Sequence, residues 1–220
     1  MSARETLVGL LSENRPEEVI ALARKDRRTV RMLAGLLFHE EELIMWRAVT
    51  MLGHLAVAEP ELVRPIVKRL LWSLAEEASI VGWGSNQALG EIYHRNHDVA
   101  GNAGRIAAHF LDDEELSNPA NRNTTMLAGS IWAIGEIAGS DPATSMEMAS
   151  KLVGFLTDPE SQVRAVTAWT LGKLKYKPAV AALEAMSGDD ATADVYEDEE
   201  LRHMTVKDVA VHALKNIVGP

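Results

Sequence analysis

Along nearly the whole chain, apolar residues recur three and four positions apart, the spacing that gathers them on one face of a helix. Val, Ile and Thr never collect into an alternating run that would read as a strand. The helical pattern breaks where Pro, Gly, Asn and Asp cluster: Asn14-Arg15-Pro16, Glu59-Pro60, Gly82 to Gly84, Asn96-His97-Asp98, Asn118-Pro119, Asp141-Pro142, Asp158-Pro159 and Lys177-Pro178. Proline's missing N–H costs nothing in a first helical turn, so these prolines open helices. The pattern predicts antiparallel helix pairs at 3–12 with 16–25, 27–38 with 41–57, 60–77 with 83–95, 98–111 with 123–138, 142–155 with 160–175 and 178–187 with 203–218.

Four of the second helices carry variants of one phrase: Met51-Leu52-Gly53-His54-Leu55, Ala88-Leu89-Gly90-Glu91-Ile92, Ala133-Ile134-Gly135-Glu136-Ile137 and Thr170-Leu171-Gly172-Lys173-Leu174. The glycines lie 37, 45 and 37 residues apart (53 to 90, 90 to 135, 135 to 172). Recurrence at that period marks a stacked helical repeat, in which each unit hides its apolar face only against its neighbours. The last unit ends Ala213-Leu214-Lys215-Asn216-Ile217, and its Lys215 in the glycine's place suits a terminal cap. No composition break marks a linker, so residues 1–220 read as a single domain.

The phrase from Asp158 through Val163-Arg164 and Trp169 to Gly172 resembles the second helix of a HEAT repeat, of the HEAT-like subgroup named after the phycobilin lyases. The resemblance runs over about residues 27 to 218. It implies an all-α, right-handed α-α superhelix, a HEAT-repeat solenoid of about five helical-hairpin repeats behind an N-terminal helix pair. In such proteins the second helices line a concave surface.

Aligned on glycine, positions −7, −3, 0 and +1 share one side of each second helix. The stripes are Trp46/Thr50/Gly53/His54, Trp83/Gln87/Gly90/Glu91, Ala128/Trp132/Gly135/Glu136 and Ala165/Trp169/Gly172/Lys173, each with one tryptophan. Two readings follow. The indoles either pack between repeats beside glycines that let helices approach, or stand partly exposed as anchors of a binding groove. The groove reading nominates Trp83, Asn86, Gln87, Glu91, Trp132, Glu136 and Trp169 as partner-binding residues. Trp83 leads, at the start of its helix between Gly82 and Gly84. Arg164 reads either as part of that surface or as structural, paired with Asp158 or Glu160.

The net charge of −10 is concentrated, since residues 188 to 200 hold seven acids and no base and leave −10 − (−7) = −3 for the remainder. That stretch, about 188–202, reads as a flexible acidic loop. Neither part offers the basic stripe of a nucleic-acid binder. The absence of cysteine removes disulfides, thiolate metal sites and cysteine nucleophiles. Arg4 and Glu5 precede any apolar stretch, and no apolar run approaches the roughly 20 residues of a membrane span, so a cytoplasmic protein without a membrane partner is expected.

Glu91 and His94 form a Glu-x-x-His step, one helical turn apart as carboxylate-bridged metal sites require. A second such step is missing, because Glu136 is followed at that offset by Gly139. His39-Glu40 is a lone copy of the paired dipeptides of deoxyhypusine hydroxylase and does not carry that site over. Trp132 and Trp169 invite comparison with HEAT-like alkylpurine DNA glycosylases, but no aspartate accompanies them. The expected function is a protein–protein interaction scaffold or adaptor binding a protein partner without a cofactor. The alternative is a cofactor- or metal-handling protein, akin to a tetrapyrrole lyase or chaperone, using the stripe with His54, Glu91, His94 and Glu136. Neither decides whether the chain is an enzyme.

Overall fold

The computed structural model describes residues 2–75, 84–109, 111 and 122–219. Contacts divide the chain into two compact units, Met1–Gly104 and Arg105–Pro220. The first contains α1 (Ala3–Ser12), α2 (Pro16–Lys25), α3 (Arg28–Leu36), α4 (Glu42–Ala58), α5 (Pro60–Ala75), α6 (Ser85–Arg95) and α7 (His97–Ala100), and α8 (Ala103–His109) spans the division. In the second, α9 (Thr124–Ile137) and α10 (Pro142–Leu152) are followed by α11 (Ser161–Lys173), α12 (Val180–Ala185), β1 (Thr192–Glu197), β2 (Glu200–Thr205) and α13 (Val206–Val218).

Local chemistry sets these boundaries. Ser2 and Glu5 form a reciprocal capping box on α1. Asn123, Asp141 and Thr205 each accept a backbone N–H at the start of α9, α10 and α13. Pro16 and Pro142 sit in the first turns of α2 and α10. The expected helix 98–111 is divided, because Gly101 takes a positive φ of 59° between α7 and α8.

Within each unit the second helices of successive pairs lie side by side, and the recurring glycine is where they touch. A Cβ on Gly53 would stand 2.7 Å from Glu91 Cγ of α6, one on Gly135 2.5 Å from Trp169 Cζ3 of α11, and one on Gly172 2.7 Å from Ala213 Cα of α13. The side chains around these contacts form the two cores: Leu33, Ile44, Leu52, Leu55, Leu89 and Ile92 in the first unit, Leu127, Ile131, Ile134, Leu171 and Val206 in the second, all fully buried. This is the all-α helical-repeat architecture that the spacing predicts. Among the described residues no helix is long and apolar enough to cross a membrane.

The acidic stretch expected as a flexible loop is corrected by the structure. It folds into an antiparallel hairpin, β1 pairing with β2 from Thr192↔Thr205 to Glu197↔Glu200. The two-residue turn, Asp198 and Glu199, has φ of 52° and 63°, the twist a tight hairpin needs. The following helix therefore begins at Val206 rather than 203.

Candidate partner-binding face

In the second unit α9 and α11 turn Trp132, Ser161, Gln162 and Trp169 toward one strand, β1. A two-residue turn makes Glu197 and Glu200 the closing pair, so the backbone polar groups of Thr192, Asp194 and Tyr196 point away from β2. They are met by side chains of the helices. Gln162 Nε2 donates to Asp194 O at 2.7 Å while Asp194 N donates to Gln162 Oε1 at 3.0 Å, an amide reproducing a strand partner. Ser161 Oγ donates to Thr192 O at 2.7 Å, and Trp132 Nε1 donates to Tyr196 O at 2.9 Å.

Aromatic stacking fills the space beneath the strand. Trp132 and Trp169 are parallel within 2° with ring centroids 6.0 Å apart, and the Tyr196 ring tilts over Trp132 at 6.4 Å. Trp169 Nε1 donates to Glu197 Oε1 at 2.9 Å. Lys173 places its ammonium 5.1 Å over the Trp169 ring and 3.4 Å from Glu136 Oε1. Arg202 Nη1 of β2 lies 3.5 Å from Glu197 Oε2, so the strand's acids are partly balanced within the site.

The sequence candidates thus fall into distinct places. Trp132 and Trp169 are brought together but are 3% and 5% exposed, covered by β1 rather than open to solvent. Trp46, in the first unit, is likewise buried and donates to Glu42 Oε1 at 3.1 Å. Asn86, Gln87 and Glu91 are packed inside the first unit at 1%, 3% and 3% exposure, where they present no surface. Glu91 is ion-paired with Arg95 and packed against Gly53. Trp83 lies outside the described residues. As for Glu91 and His94, among the described residues no group of three His, Cys, Asp or Glu side chains is placed to hold a metal ion.

Arg164 is structural, with a partner other than those expected. Its guanidinium grips Asp189 at two points, 2.7 and 3.1 Å, and donates to the carbonyls of Asp158 and Pro159. That hydrogen-bonded contact holds the Asp189 carboxyl below its ordinary value and raises Arg164, burial opposing both shifts. Asp158 is taken by Arg122 in a buried pair. Sequence reasoning passes over Ser161, Gln162, Tyr196 and Glu197. The alternating Ala193 and Val195 are the signal that could have found β1, and the seven acids of residues 188–200 obscure it.

Residues 125–174, which span α9 to α11, match the family model described as a HEAT-like repeat. The chain carries a HEAT-like repeat here. A relative, the uncharacterized phycocyanin operon protein Y of Pseudanabaena tenuis, is 36% identical over 78 residues, or 36% of this chain. The chain spans only 17% of that protein's length. The crystal structure of one engineered protein superposes with a TM-score of 0.56 at 19% identity, covering 100% of both chains. A second engineered protein gives a TM-score of 0.52 at 16% identity, covering 97% of this chain and 60% of its own. The HEAT-like repeat therefore coincides with the part of the fold that grips β1.

Proposed function

We propose that the protein is an interaction scaffold whose HEAT-like second-helix face holds an extended strand of a partner protein, with β1 as the resident occupant that the partner replaces. The observation that supports this reading is how β1 is held: Gln162, Ser161 and Trp132 all bond its backbone rather than its side chains. Main-chain recognition does not depend on which residues the strand carries, so another strand offers the same groups. Specificity would come from the aromatic layer, where Trp132 and Trp169 receive an aromatic side chain, and from Lys173 and Arg202, which favour an acid beside it. HEAT-like repeats and a relative named for a phycocyanin operon also admit a cofactor-handling role. The geometry favours it less, because Glu91 is ion-paired with Arg95, Glu136 lies beside Lys173, and the two indoles stack on each other.

The test is capture of binding proteins by the immobilised full chain, compared with Tyr196→Ala, which loosens β1, and Gln162→Ala/Trp169→Ala, which disables the face. The expected result is a stoichiometric partner, enriched by the first variant and lost with the second. A partner captured equally by all three, or a chain purified with a bound tetrapyrrole or metal and no protein, would overturn the proposal.

A further inference from the structure

A second surface, in the first unit, is independent of the strand-binding face. On α5, residues 61, 64, 65, 68, 69 and 72 follow one another at steps of three and four and form a single exposed side of the helix. At its end stands Trp72, 64% exposed, whereas Trp46, Trp132 and Trp169 are all buried. A solvated indole leaves a large apolar area in water, and such groups serve preferentially as anchors at interfaces.

The charges beside it are unbalanced. Arg64 is occupied by Glu61 at 3.0 Å and by the carbonyl of Asp98 at 2.6 Å. Lys68 and Arg69, one turn before Trp72, have no carboxylate partner among the described residues. The neighbouring helix α3 packs against α5 and repeats the theme. Its positions 37 residues earlier are Arg31 (68 − 37), which is exposed, and Gly35 (72 − 37), where a Cβ would meet nothing within 4 Å. In a chain of net charge −10, this is, among the described residues, a local basic face beside an exposed aromatic ring.

We propose that the outer face of α5, formed by Lys68, Arg69 and Trp72, docks an extended acidic segment of a partner protein. Carboxylates of the segment neutralise Lys68 and Arg69, and an apolar side chain within it covers the indole. Charge complementarity selects the occupant. A nucleic acid would need many more phosphates neutralised than two or three bases allow, whereas a short acidic segment places only a few carboxylates against them.

The experiment is fluorescence anisotropy of the full chain with a labelled glutamate-rich peptide carrying a central Leu-Leu pair. Its controls are the same peptide with every glutamate replaced by glutamine and an oligo-dT of equal length. The glutamate peptide should bind at low salt. Affinity should fall by at least about tenfold for the glutamine peptide, and likewise for Trp72→Ala and for Lys68→Glu/Arg69→Glu. Gln162→Ala should bind as the parent does, which separates this surface from the strand-binding face. Absence of binding, equal affinity for the glutamine peptide, indifference to both variants or preference for oligo-dT would each overturn the proposal. The comparison of the peptides on the parent chain stands even if a variant fails to fold.

Discussion

Trp132 and Trp169, 37 positions apart in sequence (169 − 132), lie 2° from parallel with ring centroids 6.0 Å apart, and each indole N–H is spent on the same strand. Two successive repeats are thereby joined to β1 through one aromatic layer. Trp169→Ala removes the stack, the bond to Glu197 and the seat of Lys173 at once, and leaves a cavity that helices can fill only partly. The expected cost is about 3–5 kcal/mol, read by urea unfolding. Amide exchange in β1 should accelerate more than the global loss accounts for. Uniform acceleration through the unit would show that the strand does not depend on the layer.

Two helical glycines, Gly172 of the recurring set and Gly35 outside it, give predictions of opposite sign. At Gly172 an added methyl meets the backbone of α13, with Ala213 Cα 2.7 Å away, and backbone cannot swing aside. Gly172→Ala should therefore destabilise by about 1–3 kcal/mol, the range for overpacking. Gly35, inside α3, has nothing within 4 Å of the same methyl, and Gly35→Ala should stabilise by about 0.5–1 kcal/mol through reduced backbone freedom in the unfolded chain. Thermal melts of both variants decide it, and a loss at Gly35 would show that the spacing of α3 from its surroundings is smaller than described.

Why the fold is legible and much of the site is not follows from where each signal lies. Helix edges rest on local chemistry, such as Pro16, Asn123 or Asp141, visible within a few residues. The glycine phrase reports helix–helix contact because such an approach at Gly53 or Gly135 leaves no room for a side chain. The hairpin hides because Asp198 and Glu199 adopt positive φ without the Asn-Gly pair that would announce it, and because its acids imitate a solvated loop. Arg164 finds Asp189 rather than the nearer Asp158 because Arg122, distant in sequence, already holds that carboxylate. Periodicity names Trp132 and Trp169 but says nothing of what covers them.

The Arg164–Asp189 contact gives a pH dependence. Asp189 is depressed below its ordinary 3.8, so the unfolded chain takes up its proton first as pH falls. The stabilisation is fully present above that value and is lost as pH drops through the lower folded-state value. The stability difference between the parent and Asp189→Asn should be constant from about pH 7 to about pH 5 and should shrink below about pH 4. Urea titrations at stepped pH measure it. A difference that persists to about pH 2.5 would mean that the contact is held by geometry alone.

The turn of the hairpin tests whether β1 is a removable occupant. Asp198 and Glu199 both hold positive φ, a conformation that costs a side chain roughly 1 kcal/mol and that Asn-Gly adopts without strain. The double substitution Asp198→Asn/Glu199→Gly alters only the two turn positions and should tighten the hairpin by about 1 kcal/mol. If a partner strand must replace β1, that gain opposes it directly, and partner affinity should fall by about fivefold, the equilibrium equivalent of the same free energy. Calorimetric titration of the captured partner into parent and variant reads the ratio. Undiminished affinity in a demonstrably stabilised hairpin would mean that the partner binds with β1 in place instead of taking the position over Trp132 and Trp169.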